Sequence, residues 1–135
     1  MTLYLLDTNI VSYYIRRSAP ALEARLNEEI RRQTVSISVL TRAELRFGQA
    51  GMDPDDRRSG FIDQFLLRIP NLEWSIQAAD QYGQAKSHLK RVGQPIGELD
   101  TQIAAHALAE NLILVTHNTR HFERVPGLKL EDWMT

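Results

Sequence analysis

Apolar and polar positions change period repeatedly along this chain, which predicts short strands interleaved with helices. The first apolar run, Leu3–Leu6, is followed at once by Asp7-Thr8-Asn9, so it predicts a buried strand that turns directly into a helix over residues 10–16. Thr34–Ser38 contains β-branched residues in alternation and predicts a second strand. Leu112–Val115 is the clearest buried strand of the chain. The weaker strand candidates are residues 72–74 and 128–130.

Helical periodicity fills the intervals between these runs. Leu22, Leu26 and Ile30 recur at every fourth position and mark the buried stripe of a helix from Pro20 to Arg32. The other predicted helices cover residues 39–50, 55–68, 76–92, 99–109 and 119–122.

Strands that alternate with helices favour crossover connections and a mostly parallel sheet covered on both faces. We therefore expect an α/β fold, built as a three-layer α/β/α sandwich with a four- to five-stranded sheet. The length of 135 residues suits a single domain over residues 1–135. The order of the strands does not follow from this pattern.

Composition excludes several kinds of chemistry. The chain has no cysteine, which rules out disulfides, thiolate zinc sites and cysteine nucleophiles. Sixteen basic and seventeen acidic residues leave a formal charge of −1, so any surface that binds nucleic acid must be local. Neither a signal peptide nor an apolar segment of ~20 residues is visible, and we expect a cytoplasmic protein without membrane contact.

Three carboxylates lie next to segments that are predicted to be buried. Asp7 directly follows the first strand, at the edge where open α/β sheets bind ligands. Glu44 shares a helix face with Leu40 and Phe47, which places it on the inward stripe or at its edge. Asp100 opens the apolar face of its own helix. Each acid also has an ordinary structural explanation when it is considered alone. Asp7 can cap a helix, Glu44 can reach water or an arginine, and Asp100 can interact with the positive end of its helix.

Taken together, these acids indicate a metal site. Carboxylates brought together by buried elements repel one another and lose hydration unless a cation lies between them. Oxygen ligands of this type suit Mg²⁺ or Mn²⁺. Asn118, which follows the Leu112–Val115 strand, is a fourth candidate ligand and equally a candidate cap for the next helix.

Basic residues near the predicted site are candidates for phosphate contacts. They are Arg16, Arg17, Arg42 and Arg120. Among the histidines, His117 is close to the predicted site, whereas His106 is predicted to face solvent. The sequence contains no HExxH, GxSxG, Walker or GxGxxG motif, which argues against the corresponding zinc, serine and nucleotide chemistries.

Four short motifs follow one another in the order seen in PIN-domain ribonucleases. They are LLDTN at 5–9, TRAEL at 41–45, LDTQIAA at 99–105 and VTHN at 115–118. The end of the chain, with FERVPGL at 122–128 and EDW at 131–133, resembles the VapC toxins of bacterial VapBC toxin–antitoxin modules. The resemblance extends over essentially the whole chain.

The resemblance implies a Mg²⁺- or Mn²⁺-dependent endoribonuclease that cleaves a structured RNA, such as a tRNA or rRNA loop, and thereby arrests growth. By motif position, the acidic metal-site residues would be Asp7, Glu44 and Asp100. Their supporting residues would be Thr8, Asn9 and Thr116. Many family members carry an acid where this chain has Asn118, and that departure puts a second tightly held metal in doubt.

The resemblance also implies partners. VapC-like proteins form dimers and are silenced by a VapB antitoxin whose tail occupies the active-site groove. We therefore expect a homodimer, a cognate VapB-like antitoxin and contact with operator DNA only through the antitoxin complex.

Two other interpretations remain open at this point. A phosphatase could use Asp7 as its nucleophile, although such enzymes usually have a second acid two residues later, where this chain has Asn9. A non-catalytic module could keep the fold for binding RNA or protein alone.

Overall fold

A five-stranded parallel sheet organises the computed structural model, which describes all residues from Met1 to Thr135. The spatial order of the strands is β3-β2-β1-β4-β5. In the centre of the sheet, Leu5 pairs with Ser36 on one side and with Leu114 on the other. The strands are β1 (Tyr4–Leu6), β2 (Val35–Ser38), β3 (Asn71–Leu72), β4 (Ile113–Val115) and β5 (Leu130–Glu131).

Seven helices connect and cover these strands. Most begin at a side chain that accepts a hydrogen bond from a backbone N–H of the first turn, as Ser38 does from Leu40 at 3.0 Å. The helices are α1 (Thr8–Ile15), α2 (Pro20–Arg31), α3 (Val39–Ala50), α4 (Arg57–Arg68), α5 (Ile76–Arg91), α6 (Glu98–Ala109) and α7 (Thr119–Phe122).

Alternation along the strands divides the core between the two faces of the sheet. Leu6 belongs to a cluster on one face, with side chains from α1, α2 and α4. Its neighbour Leu5 belongs to a second cluster on the opposite face, with side chains from α5, α6 and α7. Successive strand residues point to opposite faces, so a strand covered on both faces favours apolar residues at every position. This explains why β1 is a continuous apolar run.

The predicted three-layer α/β/α sandwich is confirmed, and its sheet is parallel throughout. The two weak strand candidates are both real but are shifted: the structure has Asn71–Leu72 and Leu130–Glu131. None of the helices combines the length and the apolar character needed to cross a bilayer.

The prediction that His106 faces solvent is wrong. Its side chain is fully buried, because α6 packs on the sheet while Trp74 covers its other side with a ring-centroid distance of 5.5 Å. His106 Nδ1 lies 2.9 Å from Ser38 Oγ. Ser38 Oγ also accepts the Leu40 N–H, so this hydroxyl connects the start of α3 to α6. Burial lowers the pKa of His106 below its ordinary value of 6.5.

This burial predicts a loss of stability in mild acid. Because the pKa of His106 is lower in the folded protein than in the unfolded chain, the unfolded chain binds the additional proton as the pH falls through 6.5. The contribution of His106 to the free energy of unfolding therefore decreases below that pH and levels off below the folded pKa. Urea unfolding of the wild type and of His106→Asn between about pH 7.5 and 5 tests this expectation.

We expect His106→Asn to be less stable at the higher pH and to depend less steeply on pH. His88→Asn is the matched control, since His88 is only half-buried and makes no hydrogen bond through its ring. Equal pH slopes for the wild type and His106→Asn would contradict the prediction.

Candidate active site

The candidate site lies where β1 and β4 end side by side. After β1 the chain crosses to β2 on one side, whereas β4 occupies the other side of β1. Adjacent strands with connections that diverge in this way leave a crevice at their carboxyl ends, the usual ligand position in open α/β sheets. The Asp7 N–H donates to the Val115 carbonyl at 3.1 Å and thereby joins the two strand ends.

Asp7 is the most buried ionisable group at this crevice. It forms the N-cap of α1, where its Oδ1 accepts the Ile10 N–H at 2.8 Å, and only 5% of its surface is exposed. Burial raises its pKa from 3.8 to about 6, and the negative charge of Asp100 acts in the same direction. Hydrogen bonds from the Thr116 side chain and the Ile10 N–H, together with His117, oppose that rise. The cap predicted for Asp7 is therefore present, but it does not offset the desolvation of the carboxylate.

Asp100 approaches Asp7 from the first turn of α6. That helix begins after Gly97, whose φ of +93° is the backbone conformation that glycine adopts without strain. The Asp100 side chain is 40% exposed, and its Oδ2 lies 2.9 Å from Nε2 of His121 on α7. As predicted, Asp100 occupies the positive end of its helix, and its negative charge also acts on Asp7.

Glu44 stands further out than predicted. The inward stripe of α3 is formed by Thr41 and Leu45, whereas Glu44 and Phe47 are both exposed. Helical spacing correctly groups Glu44 with Phe47, but that shared face lines an open groove instead of the core. The groove has a volume of about 420 Å³ and includes Thr8, Asn9, Arg16 and Glu44. Glu44 therefore faces the residues that follow Asp7, in contact with solvent.

The structure thus brings Asp100 close enough to act on Asp7 and places Glu44 in the groove that Thr8 and Asn9 line. No three histidine, aspartate or glutamate side chains converge on one point as a ready-made metal cluster. Like charges favour separation, and the exposed Glu44 can remain hydrated at little cost. None of the three carboxylates forms an ion pair with lysine or arginine; the single basic side chain in contact with one of them is His121 at Asp100.

These groups fit a divalent cation. A buried carboxylate without a basic partner, next to a second carboxylate, is stabilised in its ionised form by a cation that both can reach. The donors are oxygen atoms, which Mg²⁺ and Mn²⁺ prefer, and the 40% exposure of Asp100 leaves access for water ligands.

The predicted supporting residues are distributed around the crevice. Thr116 is fully buried, and its Oγ1 accepts the Asn118 N–H at 3.0 Å. Asn118 occupies the N-cap position of α7, but its side chain makes no capping hydrogen bond and is exposed. Thr8 Oγ1 lies 3.0 Å from Thr41 Oγ1, so the two hydroxyls connect α1 to α3. Asn9 lines the groove next to Glu44.

The four predicted phosphate-binding arginines fall into two groups. Arg16 lines the groove with Glu44, and Arg120 is exposed on α7, so both can reach a ligand at this edge. Arg42 instead donates to Asn71 Oδ1 at 2.9 Å, while the Arg17 guanidinium lies 5.3 Å from the ring centroid of Phe61. Arg16 also donates to the Ser12 carbonyl of its own helix at 3.3 Å, so three of the four arginines make contacts within the fold.

Two contributions to the site were not anticipated from the sequence. His121 contacts Asp100, although the two are 21 residues apart, and Thr41 contacts Thr8 across 33 residues. No local pattern marks either pair.

Comparisons with known proteins find relatives over essentially the whole chain. The family model for the PIN domain matches residues 4–128. The chain is 40% identical to Ribonuclease VapC2 of Haemophilus influenzae, covering 99% of this chain and 100% of that protein. It is 38% identical to the tRNA(fMet)-specific endonuclease VapC of Shigella flexneri, covering 98% and 99%.

Solved structures show the same similarity. DNA-bound VapBC from Salmonella typhimurium superposes with a TM-score of 0.90 at 34% identity, covering 98% of this chain and 99% of that one. VapBC2 from Rickettsia felis, bound to a DNA fragment of its promoter, gives a TM-score of 0.89 at 34% identity with the same coverage.

The environment of Asp7 predicts that removing its charge stabilises the fold. One pKa unit is equivalent to about 1.4 kcal/mol, so ionised Asp7, with a pKa raised from 3.8 to about 6, costs the folded state up to about 3 kcal/mol near neutral pH. Asp7→Asn keeps a side-chain oxygen for the helix cap and should raise the free energy of unfolding by about 1–3 kcal/mol. Urea unfolding in EDTA measures this difference.

The gain should shrink as the pH falls from about 6 towards 3.8, because wild-type Asp7 then takes up a proton in the folded protein. Asp80→Asn is the control: Asp80 is exposed and forms no ion pair, and its replacement should change stability by less than about 0.5 kcal/mol. A loss of stability in Asp7→Asn at pH 7 would show that the ionised Asp7 carboxylate does not destabilise the folded protein.

Proposed function

This chain belongs to the PIN-domain family, and within it to the VapC ribonucleases, and we propose that it cleaves RNA through a metal site formed by Asp7, Glu44 and Asp100. The observation that carries the proposal is the buried Asp7 carboxylate. It faces Asp100 without a lysine or arginine partner, where the ends of β1 and β4 open a crevice.

Asp7 and Asp100 would hold the cation, Mg²⁺ or Mn²⁺. When bound, the cation supplies positive charge that polarises the scissile phosphate and favours ionisation of the attacking water. Asn118 offers an uncharged amide oxygen at the same edge, so this site should bind one cation tightly. The hydrogen bonds of Asp7 with Ile10 and Thr116 hold its carboxylate in place.

Glu44 would act on the attacking water. Its carboxylate is exposed in the groove beside Thr8 and Asn9, where it can hold the water and accept its proton. Attack of the water oxygen on phosphorus, in line with the leaving oxygen, would break the P–O3′ bond. The departing 3′-oxygen would take a proton from solvent, which gives a 5′-phosphate and a 3′-hydroxyl. Arg16, in the same groove, and Arg120 on α7 are placed to contact flanking phosphates.

The cellular role that we propose is that of a toxin in a type II toxin–antitoxin system. Relatives at 38% and 35% identity are named tRNA(fMet)-specific endonucleases, and a loop of a tRNA is therefore the first substrate to test. Bases in a single-stranded loop can turn outward and leave the phosphate accessible. An rRNA loop is the other candidate.

The proposed partners follow the same relatives. VapBC complexes from two organisms are bound to DNA, which supports a VapB-like antitoxin that silences this chain and links it to operator DNA. We further propose a homodimeric toxin composed of single nuclease domains over residues 1–135, acting in the cytoplasm where its RNA substrates are found.

A phosphatase that uses Asp7 as nucleophile is less compatible with the structure. Asp7 is almost completely buried, and one of its oxygens already accepts the Ile10 N–H. The position two residues later is the exposed amide Asn9. A non-catalytic module would have no need of a buried carboxylate whose ionisation opposes folding.

The main experiment is brief induction of the protein in a bacterial host, followed by sequencing of RNA 5′ ends. We expect growth arrest and new 5′-phosphate ends within a tRNA or rRNA loop. Asp7→Asn or Asp100→Asn should reduce cleavage by the purified protein by at least about 100-fold, since loss of even indirect metal-site partners typically costs 10–100-fold. Excess EDTA should abolish cleavage by the wild type.

Glu110→Gln is the matched control, because Glu110 is an exposed acid at the other end of the α6 helix and should leave cleavage unchanged. Full activity in EDTA, or in Asp7→Asn, would refute the metal-dependent mechanism. A covalent aspartyl-phosphate at Asp7 would instead support the phosphatase.

Glu44→Gln separates binding from proton transfer. Because Glu44 is exposed, its replacement should change the free energy of unfolding by less than about 0.5 kcal/mol. If Glu44 accepts the proton of the attacking water, kcat should fall by about 100-fold or more with little change in KM. Steady-state cleavage of a defined RNA substrate measures both constants. An unchanged kcat would remove Glu44 from the chemistry and leave Asp7 and Asp100 as the essential pair.

A further inference from the structure

His121 connects three separate segments of the chain at the edge of the site. Its Nε2 lies 2.9 Å from Asp100 Oδ2 and 2.9 Å from the carbonyl oxygen of Ile96. Asp100 belongs to the first turn of α6, Ile96 to the loop before it, and His121 to α7, directly after the Asn118 cap. One nitrogen atom therefore ties α7 to both sides of the turn at Gly97.

The Ile96 carbonyl determines which ring nitrogen carries a proton. A carbonyl oxygen can only accept a hydrogen bond, so Nε2 must be the donor. The same N–H is shared with Asp100 Oδ2. A neutral imidazole is sufficient for this arrangement, and the contact does not depend on a positive charge at His121.

The ring of His121 is itself held by the core. It packs edge-on against Phe122, with 5.4 Å between ring centroids, and Phe122 is buried in the cluster beneath α5 and α6. The side chain of His121 is 23% exposed, whereas that of Asp100 is 40% exposed. A more buried donor thus contacts a more exposed carboxylate.

His121 is also the only side chain that hydrogen-bonds to the Asp100 carboxylate. The bond engages Oδ2, while Oδ1 has no hydrogen-bond partner in the chain. An exposed carboxylate without such a partner samples several rotamers, and ordering it on binding costs free energy. Groups that hydrogen-bond to ligating carboxylates therefore strengthen metal binding indirectly.

We propose that His121 is a positioning residue that fixes the Asp100 carboxylate for cation binding and holds α7, with Asn118, in register with α6. This inference rests on the proposed function, because it takes Asp100 to be a metal ligand. His121 need not touch the RNA or the reacting atoms.

The test measures Mn²⁺ binding to the full-length protein without RNA, by titration calorimetry, for the wild type, His121→Leu and His121→Gln. The Gln amide can place an N–H near the position of Nε2, whereas Leu cannot donate. We expect His121→Leu to weaken Mn²⁺ binding by about 10–100-fold. We expect His121→Gln to remain close to the wild type.

Two further variants control for altered folding. His121→Asn stays polar but is too short to reach Asp100, so it should behave like His121→Leu even if the leucine variant does not fold. His88→Leu replaces a half-buried histidine in the last turn of α5 that makes no side-chain hydrogen bond, and it should bind Mn²⁺ as the wild type does. Thermal unfolding in EDTA verifies that each variant is folded.

The outcomes separate this inference from the proposed function. If wild type and Asp100→Asn differ in Mn²⁺ affinity but His121→Leu and His121→Asn equal the wild type, the positioning role is overturned and the metal site stands. Weak binding by His121→Gln, equal to that of His121→Leu, would also overturn it. If Asp100→Asn binds Mn²⁺ as tightly as the wild type, the metal site itself is wrong and the inference fails with it.

Discussion

The burial of the Asp7 carboxylate is the constraint around which this end of the molecule is built. Desolvation opposes the ionisation of Asp7, and the negative charge of Asp100 adds to that opposition. The fold tolerates this conflict because Asp7 accepts the Ile10 N–H and a hydrogen bond from Thr116. A site of this kind destabilises the folded chain in the absence of a cation, and the two apolar clusters on either face of the sheet must supply the compensating stability.

The parallel topology is what brings the two acids together. β1 and β4 are neighbours in the sheet but distant along the chain, and the helices α1 and α6 both begin at the edge where these strands end. The positive ends of two helix dipoles therefore meet the two carboxylates and reduce their repulsion. An antiparallel arrangement would place one of these helix starts at the opposite edge of the sheet.

Local patterns predict much of this architecture, and long-range packing decides the rest. The apolar runs of β1 and β4 and the acids beside them are readable because they depend on neighbouring residues only. Helical spacing shows that Glu44 and Phe47 share a face, but it does not show whether that face packs against the core. In the structure, the face that contains Thr41 and Leu45 packs against the core. The burial of His106 depends on Trp74, and strand order depends on pairings between distant segments, so neither follows from local spacing.

The residues at and before α7 add no negative charge to the site that contains Asp7 and Asp100. An aspartate at position 118 would add a further anion beside Asp7 and Asp100, and the free energy of the cation-free fold would rise accordingly. The amide of Asn118 contributes a dipole at this position, and His121 contributes a hydrogen-bond donor that requires no charge. His121 thus connects the segments at this edge without requiring a charge, and the Asn118 side chain adds none. An uncharged side chain at position 118 also attracts a cation less strongly than an aspartate would.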